Sequence, residues 1–533
     1  MTSDPATPID FAALARAELV DDGGRAVDGL LCVTADVAHA VAEAVRQGYA
    51  VMPAGGLTSA IGSFDWKRDK LDPAFKDVVA IRPKGALAAE VVDPATPLAA
   101  LKTNQVAIDA ARGIVAAGAG LTFSQVDAAL ADQVGPTAKI LVDLTSIGSA
   151  FVGGVVATGG MGPLRLRPSA TLEAVCLADG GAPRTVTGAD LDQVEGMQGW
   201  TGMVTAAAFR LCHVPAGEFG LVLPVQGSDV DAVAGLLAYL ARWCKVELPA
   251  AGGAIEGDIV LNGIELVSRD SLEAFVEHAG EPARTKAQGL LQSCEYAGAD
   301  MLACLTGWSE QSVDDVLYGL LDPETETIGG IMIDFGVGFS SGAEMETFRA
   351  IREGAPDLAR TKARVRTPGQ LAPWTTSTDV NLAAPADTAA ISDVLAAYGD
   401  YRSAIRALGR ELGDAVTVEL AAYGHLSPNG IDPHHRVTLF AAEGSEAALA
   451  GARQAVAANK RTLIRDLLHV AERHGAEITG GEKGVPSLVE IARAAGGESR
   501  LPDALKTRLR RAREAVSAAP AAFSFRAPEE LRD

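Results

Sequence analysis

Residues 142–163 read VDLTSIGSAFVGGVVATGGMGP, and the rest of the chain is organised around this stretch. Its glycines stand among small and hydroxyl-bearing residues, a composition that suits neither a long helix nor an ordinary apolar strand. Where side chains are missing, peptide N–H groups can converge on an anion such as a diphosphate, and glycine reaches the positive-φ conformations that such turns require. From the stretch alone, a ligand-binding loop and a glycine-rich connection in a tightly packed sheet are equally good interpretations.

Composition and charge limit the classes of protein to which the chain can belong. With 533 residues, of which 48% are hydrophobic, it can bury a substantial core. This length predicts about two to four domains. The formal net charge of -22 opposes nucleic-acid binding, and the basic cluster at residues 506–513 is interpreted as a solvated helix face.

Cysteine usage and hydropathy predict a cytoplasmic protein without a transmembrane segment. The six cysteines lie far apart and form no CxxC pair, which favours buried reduced thiols over a disulfide framework or a thiolate metal site. The acidic N-terminus lacks the basic and then apolar pattern of a signal peptide, and no apolar run is long enough to span a bilayer.

Three further glycine-rich turns lie in about the first two-fifths of the chain. PAGGLTS at residues 53–59 follows a predicted β–α–β unit, VAAGAG at residues 115–120 ends another strand, and EGMQGWTGMVT spans residues 195–205. Each turn alone is a weak signal for a phosphate-binding loop, because an ordinary surface turn has a similar composition. Together they place several sites of close backbone approach in one α+β region.

The four segments, in this order and at these separations, resemble the FAD-binding domain of the vanillyl-alcohol oxidase and p-cresol methylhydroxylase (PCMH-type) superfamily. The resemblance implies an α+β fold with a PCMH-type two-subdomain FAD-binding domain at residues 1–215. An α+β cap or substrate domain would follow at residues 216–440, and a helical C-terminal segment at residues 441–533 would close the active site. Because the glycine-rich turns contain no histidine or cysteine, non-covalent FAD is implied.

The resemblance also implies which residues contact FAD. The PAGG turn would line the diphosphate, and the central stretch would run along the ribityl chain and the isoalloxazine. The GSEGTLG pattern of the superfamily reads GMQGWTG at residues 196–202, with its glycines kept. The predicted cofactor-binding residues are Pro53, Gly55, Gly56, Leu57, Thr58, Ser59, Thr145, Gly148, Ser149, Gly153, Gly154, Thr158, Gly159, Gly160 and Val204.

The chemically richest part of the sequence lies between residues 423 and 485. YGHLSPNGIDPHHRV at residues 423–437 holds three of the eight histidines, and GGEKGV at residues 480–485 supplies a carboxylate. Imidazoles together with a carboxylate suit a divalent metal such as Zn or Mn, which could polarise a substrate hydroxyl. Histidines that cap strand ends are the alternative interpretation.

These two segments are similar to the D-lactate and D-2-hydroxyglutarate dehydrogenase branch of the superfamily, which is glycolate oxidase subunit-like. The GHLGDGNLH segment of that branch is matched by residues 424–426 and, after an expanded loop, by His434 or His435. Its Glu-His-Gly segment is matched by residues 482–484. The metal ligands that the resemblance implies are His425, His434, His435 and Glu482.

The catalytic residues implied by the same branch are Arg352, His425 and Lys483. Arg352 would grip a substrate carboxylate with its planar guanidinium, and a surface ion pair is the alternative. Lys483 stands where the branch has a base histidine. It would act as a base only when burial or nearby positive charge holds it neutral, and otherwise as a carboxylate clamp or a surface residue.

The resemblance therefore implies an FAD-linked oxidoreductase that oxidises a 2-hydroxy acid, such as D-lactate, to the 2-oxo acid. A base would take the hydroxyl proton, and the α-hydrogen would pass as hydride to flavin N5. Electrons would then reach a quinone, cytochrome or flavoprotein acceptor, and the chain is compatible with a homodimer. Two alternatives stay open: oxidation of another alcohol, an amine or a sugar, and a non-catalytic flavin-carrying subunit of an electron-transfer or assembly complex.

Overall fold

The computed structural model of the protein describes residues 8–20, 26–56, 71–142, 144, 147–226, 230–244, 246–278, 281, 283–321, 324, 327–328, 331–332, 369–371, 373–378, 380–383, 387–427, 430–480 and 484–532. Among these residues strands and helices are mixed along the chain, as an α+β fold requires.

The N-terminal part of the chain is a four-stranded sheet covered by the amphipathic helix Val37–Arg46. The helix begins where the Asp36 carboxylate accepts a hydrogen bond from the backbone N–H of His39 (3.0 Å), and it buries Val37 and Val41 against the sheet. In spatial order the strands are Arg16–Val20, Ala26–Thr34, Val78–Pro83 and Ala50–Pro53. The last of these strands leads directly into the PAGG turn.

A six-stranded sheet follows, and the central glycine-rich stretch packs on it. In spatial order its strands are Arg184–Thr187, Leu172–Ala178, Met203–Arg210, Ile114–Gly118, Gln105–Asp109 and Glu90–Val92. The helices beside it are Phe123–Gln133, which begins with a Thr122/Gln125 capping box, and Val152–Thr158, which packs on Met203–Arg210. Two short strands, Ala138–Lys139 and Cys212–His213, pair with each other.

The later part of the chain is built on a mostly antiparallel sheet with eight described strands. In spatial order seven of them are Gly217–Val225, Met301–Ser309, Ile259–Ser268, Val416–Ser427, Gly430–Ala441, Val380–Ala383 and Glu477–Gly480. The eighth, Trp374–Ser377, pairs with Gly430–Ala441. A separate pair is formed by Thr327–Ile328 and Ile331–Met332.

The remaining described helices follow in the second half of the chain; most pack on or near this sheet, and Ala521–Ser524 packs on the N-terminal sheet. They are Val230–Ala241, Arg269–His278, Ala283–Ala297, Val313–Leu320, Thr388–Leu412, Glu446–His474, Val485–Ala495, Asp503–Ala518, Ala521–Ser524 and Glu529–Arg532. The described 3-10 helices are Phe11–Ala13, Leu98–Ala100, Pro168–Ala170, Gly188–Gln193, Gly413–Ala415 and Glu498–Arg500. Within the described parts of the chain, no helix has the length and apolar character needed to cross a bilayer.

The C-terminal helices contribute to the core of the eight-stranded sheet and to the core of the N-terminal sheet. Leu488, Leu505 and Leu531 belong to the same core as the eight-stranded sheet, whereas Phe523 packs into the core of the N-terminal sheet. The domain boundaries at residues 215 and 440 stay predictions.

The interpretation of residues 506–513 as a solvated helix face is only partly right. This segment lies in the helix Asp503–Ala518, where Arg511 forms an ion pair with Asp192 (2.7 Å) across the molecule. Burial lowers the pKa of Arg508, which faces Glu195 and Asp192. The basic face therefore docks the helix on the acidic segment before the Gly196 turn. All six cysteines are buried and free, as predicted.

Candidate active site

The VAAGAG turn and the central glycine-rich stretch are joined by backbone hydrogen bonds. The N–H of Val152 donates to the carbonyl of Leu121 (2.8 Å), and the N–H of Gly153 donates to the carbonyl of Ala119 (3.2 Å). A Cβ atom on Gly153 would lie 2.7 Å from the Ala119 Cβ and 3.3 Å from the carbonyl oxygen of Val204. Glycine is thus required at residue 153, because the helix Val152–Thr158 approaches the sheet too closely for a side chain.

The PAGG turn lies against the same stretch. A Cβ on Gly56 would lie 2.3 Å from the carbonyl oxygen of Ser149, and a Cβ on Gly55 would lie 3.5 Å from the Cα of Gly154. The backbone N–H of Ala54 donates to the carbonyl of Ile81 (2.9 Å), which fixes where the turn leaves the N-terminal sheet. Two turns that are about a hundred residues apart in sequence are therefore adjacent.

We expect Gly56→Ala to destabilise the apoprotein by about 1–3 kcal/mol, because the new methyl group must displace the backbone at Ser149. The measurement is urea unfolding of the apoprotein. Gly148→Ala is the matched control, because the nearest described atom to a Cβ there would be the Ser124 Oγ, at 3.8 Å. Equal stability of the two variants would contradict the close approach of the two turns.

The GMQGWTG turn completes the cluster. The N–H of Gly196 donates to the carbonyl of Val156 (3.3 Å), and the N–H of Val485 donates to the carbonyl of Gly196 (3.1 Å). A Cβ on Gly199 would lie 2.9 Å from Pro53. All four predicted turns thus meet in one place, and the segment that follows Lys483 reaches the same place.

The residues present fit a flavin nucleotide at this meeting point. Peptide groups from four turns come together there, and most of the glycines are held by backbone contacts. Gly154 differs, because among the described residues a Cβ on it would meet no atom nearer than the Gly55 Cα at 3.9 Å. Packing against the described residues thus does not explain its missing side chain, and a ligand against this face would explain it.

Of the predicted cofactor-binding residues, four lie outside the described residues: Leu57, Thr58, Ser59 and Thr145. The others, from Pro53 to Val204, lie in or beside the cluster of turns. Their contacts with FAD stay predictions.

Comparison with known proteins gives the fold. No protein-family model and no curated protein matches the chain. Among solved structures, it is similar to 6-hydroxy-D-nicotine oxidase from Arthrobacter nicotinovorans, with 12% sequence identity, a TM-score of 0.51 and coverage of 98% of both chains. It is also similar to alkyldihydroxyacetonephosphate synthase, with 11% identity, a TM-score of 0.52 and coverage of 85% of this chain and 72% of that chain. The chain has the PCMH-type FAD-binding fold.

In this PCMH-type fold, a pair of imidazoles lies on the eight-stranded sheet, with His425 buried and His434 partly buried. His434 Nε2 and His425 Nδ1 are 2.8 Å apart, at hydrogen-bond distance. A carboxylate stands at each end of the pair: Glu265 Oε1 is 3.9 Å from His425 Nε2, and Asp432 Oδ2 is 3.6 Å from His434 Nδ1. These four side chains share one face because Glu265 and Asp432 are the cross-strand partners of His425, and His434 is two residues beyond Asp432.

Arg165 connects this cluster to the glycine-rich stretch, and sequence reasoning missed it. Its guanidinium donates to Asp432 Oδ2 (2.6 Å), and both side chains are fully buried. Arg165 has a φ of 52°, a strained conformation for a residue other than glycine. The preceding chain passes so close to the sheet that a Cβ on Gly263 would lie 2.5 Å from the carbonyl oxygen of Pro163. The local signal was an arginine three residues after the last glycine of a glycine-rich run.

The structure corrects the expanded loop that was predicted here, and the described residues give the predicted metal site no support. Residues 423–427 and 430–437 lie in two paired strands, Val416–Ser427 and Gly430–Ala441, in which His434 pairs with Tyr423. Among the described residues, no group of three or more histidine, cysteine, aspartate or glutamate side chains could hold a metal ion. His425 and His434 direct a nitrogen at each other, and Asp432 binds Arg165, so these groups do not converge on one ion.

The structure places His435 on the other face of the sheet from His425 and His434, because neighbouring residues of a strand point to opposite faces. Its ring packs against Tyr398, with ring centres 4.8 Å apart, and against Tyr401, with centres 6.1 Å apart. Burial, reinforced by the positive charge of Arg402, holds the pKa of His435 well below its usual value. The other predicted catalytic and metal-binding residues, Arg352, Glu482 and Lys483, lie outside the described residues.

Proposed function

We propose that the protein is an FAD-dependent oxidoreductase that oxidises a 2-hydroxy acid at its hydroxyl-bearing carbon. The observation that carries the proposal is the imidazole pair between two carboxylates, one of which forms an ion pair with Arg165, shortly after the central glycine-rich stretch. The PCMH-type fold and the cradle around Gly154 support FAD. The match of residues 424–426 and His434 to the D-lactate branch supports the substrate class.

FAD would be held by the main chain of the PAGG turn and of the central stretch, with Gly55 and Gly154 leaving room for it. The chemistry that bound FAD supplies is acceptance of a hydride from the substrate carbon. The protein itself must orient the substrate and take the hydroxyl proton. Removal of that proton is the part of the reaction that the histidine cluster can perform.

In this proposal His425 takes the proton from the substrate hydroxyl. Positioned imidazoles are the most frequent general bases in enzymes, and such a group accelerates proton transfer by about 10²–10⁴-fold. The imidazolium that forms lies within about 4 Å of the Glu265 carboxylate and is hydrogen-bonded to His434, which itself faces Asp432. Nearby negative charge stabilises the protonated ring. Arg165 acts indirectly, by holding the Asp432 carboxylate in place.

Anaerobic reduction of the bound flavin tests the proposal. The purified protein, reconstituted with FAD, is mixed without oxygen with D-2-hydroxy acids, their L enantiomers, simple alcohols, amines and sugars, and the oxidised flavin absorbance is followed. We expect bleaching by one or more 2-hydroxy acids. Bleaching only by another class would overturn the substrate proposal, and a flavin that nothing reduces would favour a non-catalytic carrier.

The proposal also includes the substrate size, the electron acceptor and the location that the sequence predicted. The substrate is a small molecule, the acceptor is a quinone, cytochrome or flavoprotein, and the location is the cytoplasm. A homodimer is compatible with it.

Gly154→Ala separates FAD binding from folding. We expect the apoprotein to become more stable by about 0.5–1 kcal/mol, because alanine is the better helix former and its methyl group would make only an ordinary contact with the Gly55 Cα, at 3.9 Å, among the described residues. FAD affinity should fall about tenfold or more, because the methyl group occupies the cofactor's side of the helix. Affinity is measured by calorimetry and stability by urea unfolding.

Gly451→Ala is the matched control for this variant. It lies within the helix Glu446–His474, and a Cβ there would meet nothing within 4 Å. It should gain stability in the same way and leave FAD affinity unchanged. Unchanged FAD affinity in Gly154→Ala would contradict the placement of FAD against this helix.

A further inference from the structure

A β-bulge interrupts the strand Ile259–Ser268 of the eight-stranded sheet. The pairing of this strand with Met301–Ser309 shifts by one position between Leu261 and Gly263. Asn262 is therefore an extra residue, opposite which the neighbouring strand has no residue of its own. Bulges of this kind change the direction of a side chain and are frequent next to active sites.

The cores on the two faces of the sheet show where the Asn262 side chain points. Leu261 belongs to the large core on one face, whereas Val260 packs with Leu164 in a smaller core on the other face. Because side chains alternate along a strand, Asn262 follows Leu261 onto the face of Val260. Leu164 comes just after the central glycine-rich stretch, so Asn262 faces the segment that follows that stretch.

The same face carries the carboxylate beside the proposed base. Gly263 lies against Pro163, because a Cβ on Gly263 would be 2.5 Å from the Pro163 carbonyl oxygen. Glu265, which faces His425, is two residues beyond Gly263, or about 7 Å along the strand. Asn262 thus lies between the end of the central stretch and the histidine cluster.

The Asn262 amide has an acceptor that the protein does not use. Its Oδ1 atom is buried and has no hydrogen-bond partner among the described residues. A buried acceptor without a donor is costly, so a bound group that donates there is favoured. A primary amide presents an acceptor and a donor side by side.

The pyrimidine edge of the isoalloxazine is complementary to such an amide. It presents an N3–H donor between two carbonyl acceptors, so it can give and receive one hydrogen bond at the same time. The carboxylate of a 2-hydroxy acid offers acceptors only, and its hydroxyl proton is the one that His425 takes in the proposed reaction. The substrate therefore leaves the Asn262 oxygen without a donor, and the flavin does not.

We propose that Asn262 binds the pyrimidine edge of the isoalloxazine, with its amide oxygen accepting from N3–H and its amide nitrogen donating to a neighbouring flavin carbonyl. The inference rests on the proposed FAD binding. It adds a side-chain ligand from the second half of the chain to a cofactor that the glycine-rich turns hold by their main chain. The bulge is what allows this strand to present the amide and Glu265 on one face.

The test compares the wild-type protein with Asn262→Leu, both as full-length apoprotein. Calorimetry measures the affinities for FAD, for FAD methylated at N3, and for ADP, which lacks the isoalloxazine. Because two neutral hydrogen bonds are lost, Asn262→Leu should bind FAD about 5- to 100-fold more weakly, with ADP affinity unchanged. Methylation at N3 removes the donor, so it should weaken binding to the wild-type protein and have a much smaller effect in the variant.

Asn104→Leu is the matched control. The Asn104 amide lies beside the edge strand Glu90–Val92 of the six-stranded sheet, where it donates to Glu90 Oε2 (3.4 Å). Its replacement removes an amide hydrogen bond without altering the bulge. We expect the affinities for FAD, N3-methyl-FAD and ADP to stay at their wild-type values.

Equal binding of FAD and N3-methyl-FAD by the wild-type protein would overturn the inference, and this result needs no variant. Wild-type FAD affinity in Asn262→Leu would also overturn it, and slower reduction in that variant would then assign the amide to the substrate. An equal loss of FAD and ADP affinity would assign the effect to altered packing and overturn it as well. A wild-type protein that binds no FAD would end the proposed function itself, whereas the other results overturn only the role of Asn262.

Discussion

Replacing His425 by asparagine is expected to slow reduction of the flavin by substrate about 10²–10⁴-fold, while FAD content and apoprotein stability change little. The imidazole is the proposed acceptor of the hydroxyl proton, and asparagine can hydrogen-bond but cannot take a proton at neutral pH. The measurement is anaerobic stopped-flow reduction with a 2-hydroxy acid that bleaches the wild-type protein. Single-turnover reduction reports on this step without interference from the acceptor.

Two further histidine variants show whether the loss belongs to this site. His434→Gln should have a smaller effect, because His434 acts through its 2.8 Å contact with His425. His474→Asn should have none, because His474 lies at the end of the helix Glu446–His474, where it faces Asp393 (2.8 Å) and Asp387 (3.3 Å). Wild-type reduction rates in His425→Asn would rule out His425 as the base.

The parts of the site that follow from local chemistry could be predicted from the sequence. Gly56 and Gly153 are each needed because another backbone segment approaches closely there. The glycine itself is visible in the sequence. A run of such residues is visible without knowing the partner. The resemblance predicted that the four turns meet. The structure shows this meeting in the close approach of Gly55 to Gly154 and of Gly199 to Pro53.

The sequence predicted that the histidines lie close together, but it did not show whether His434 or His435 faces His425. That choice depends on the two-residue alternation of side chains along a strand. Pro428 and the glycines of residues 424–430 suggested a loop, in which neither His434 nor His435 has a preferred direction. The segment is instead a hairpin whose pairing runs from Ser427 with Gly430 outward, and strand alternation then separates the two histidines. Recognising the period of two would have predicted that His434, and not His435, faces His425.

Arg165 and Asp432 could not be paired from the sequence, because they are 267 positions apart and neither belongs to a periodic pattern. Their contact depends on how the segment after the glycine-rich stretch crosses the strand Ile259–Ser268, which needs glycine at residue 263. Such a contact is a property of the packed molecule. It is therefore where a structure adds most to the sequence.

This buried ion pair is expected to give the largest stability effect in the protein. Arg165→Met should destabilise the apoprotein by about 3–5 kcal/mol, because it leaves the Asp432 carboxylate buried without the guanidinium that now lies 2.6 Å from it. The double variant Arg165→Met/Asp432→Leu should recover much of that loss, because it removes both charges together. Urea unfolding of the two single variants and the double variant gives the coupling energy.

A matched exposed pair distinguishes burial from charge. Arg510 and Glu514 lie 2.7 Å apart on the surface of the helix Asp503–Ala518, with 58% and 60% of their side chains exposed. Arg510→Met should therefore change stability little, because water and salt screen such pairs. Two results would contradict the role of the ion pair in holding Asp432 beside His434. One is an equally small change in the free energy of unfolding of Arg165→Met, and the other is a double variant whose loss of stability equals the sum of the two single losses. The role given to Arg165 in the proposed proton transfer would then fail with it.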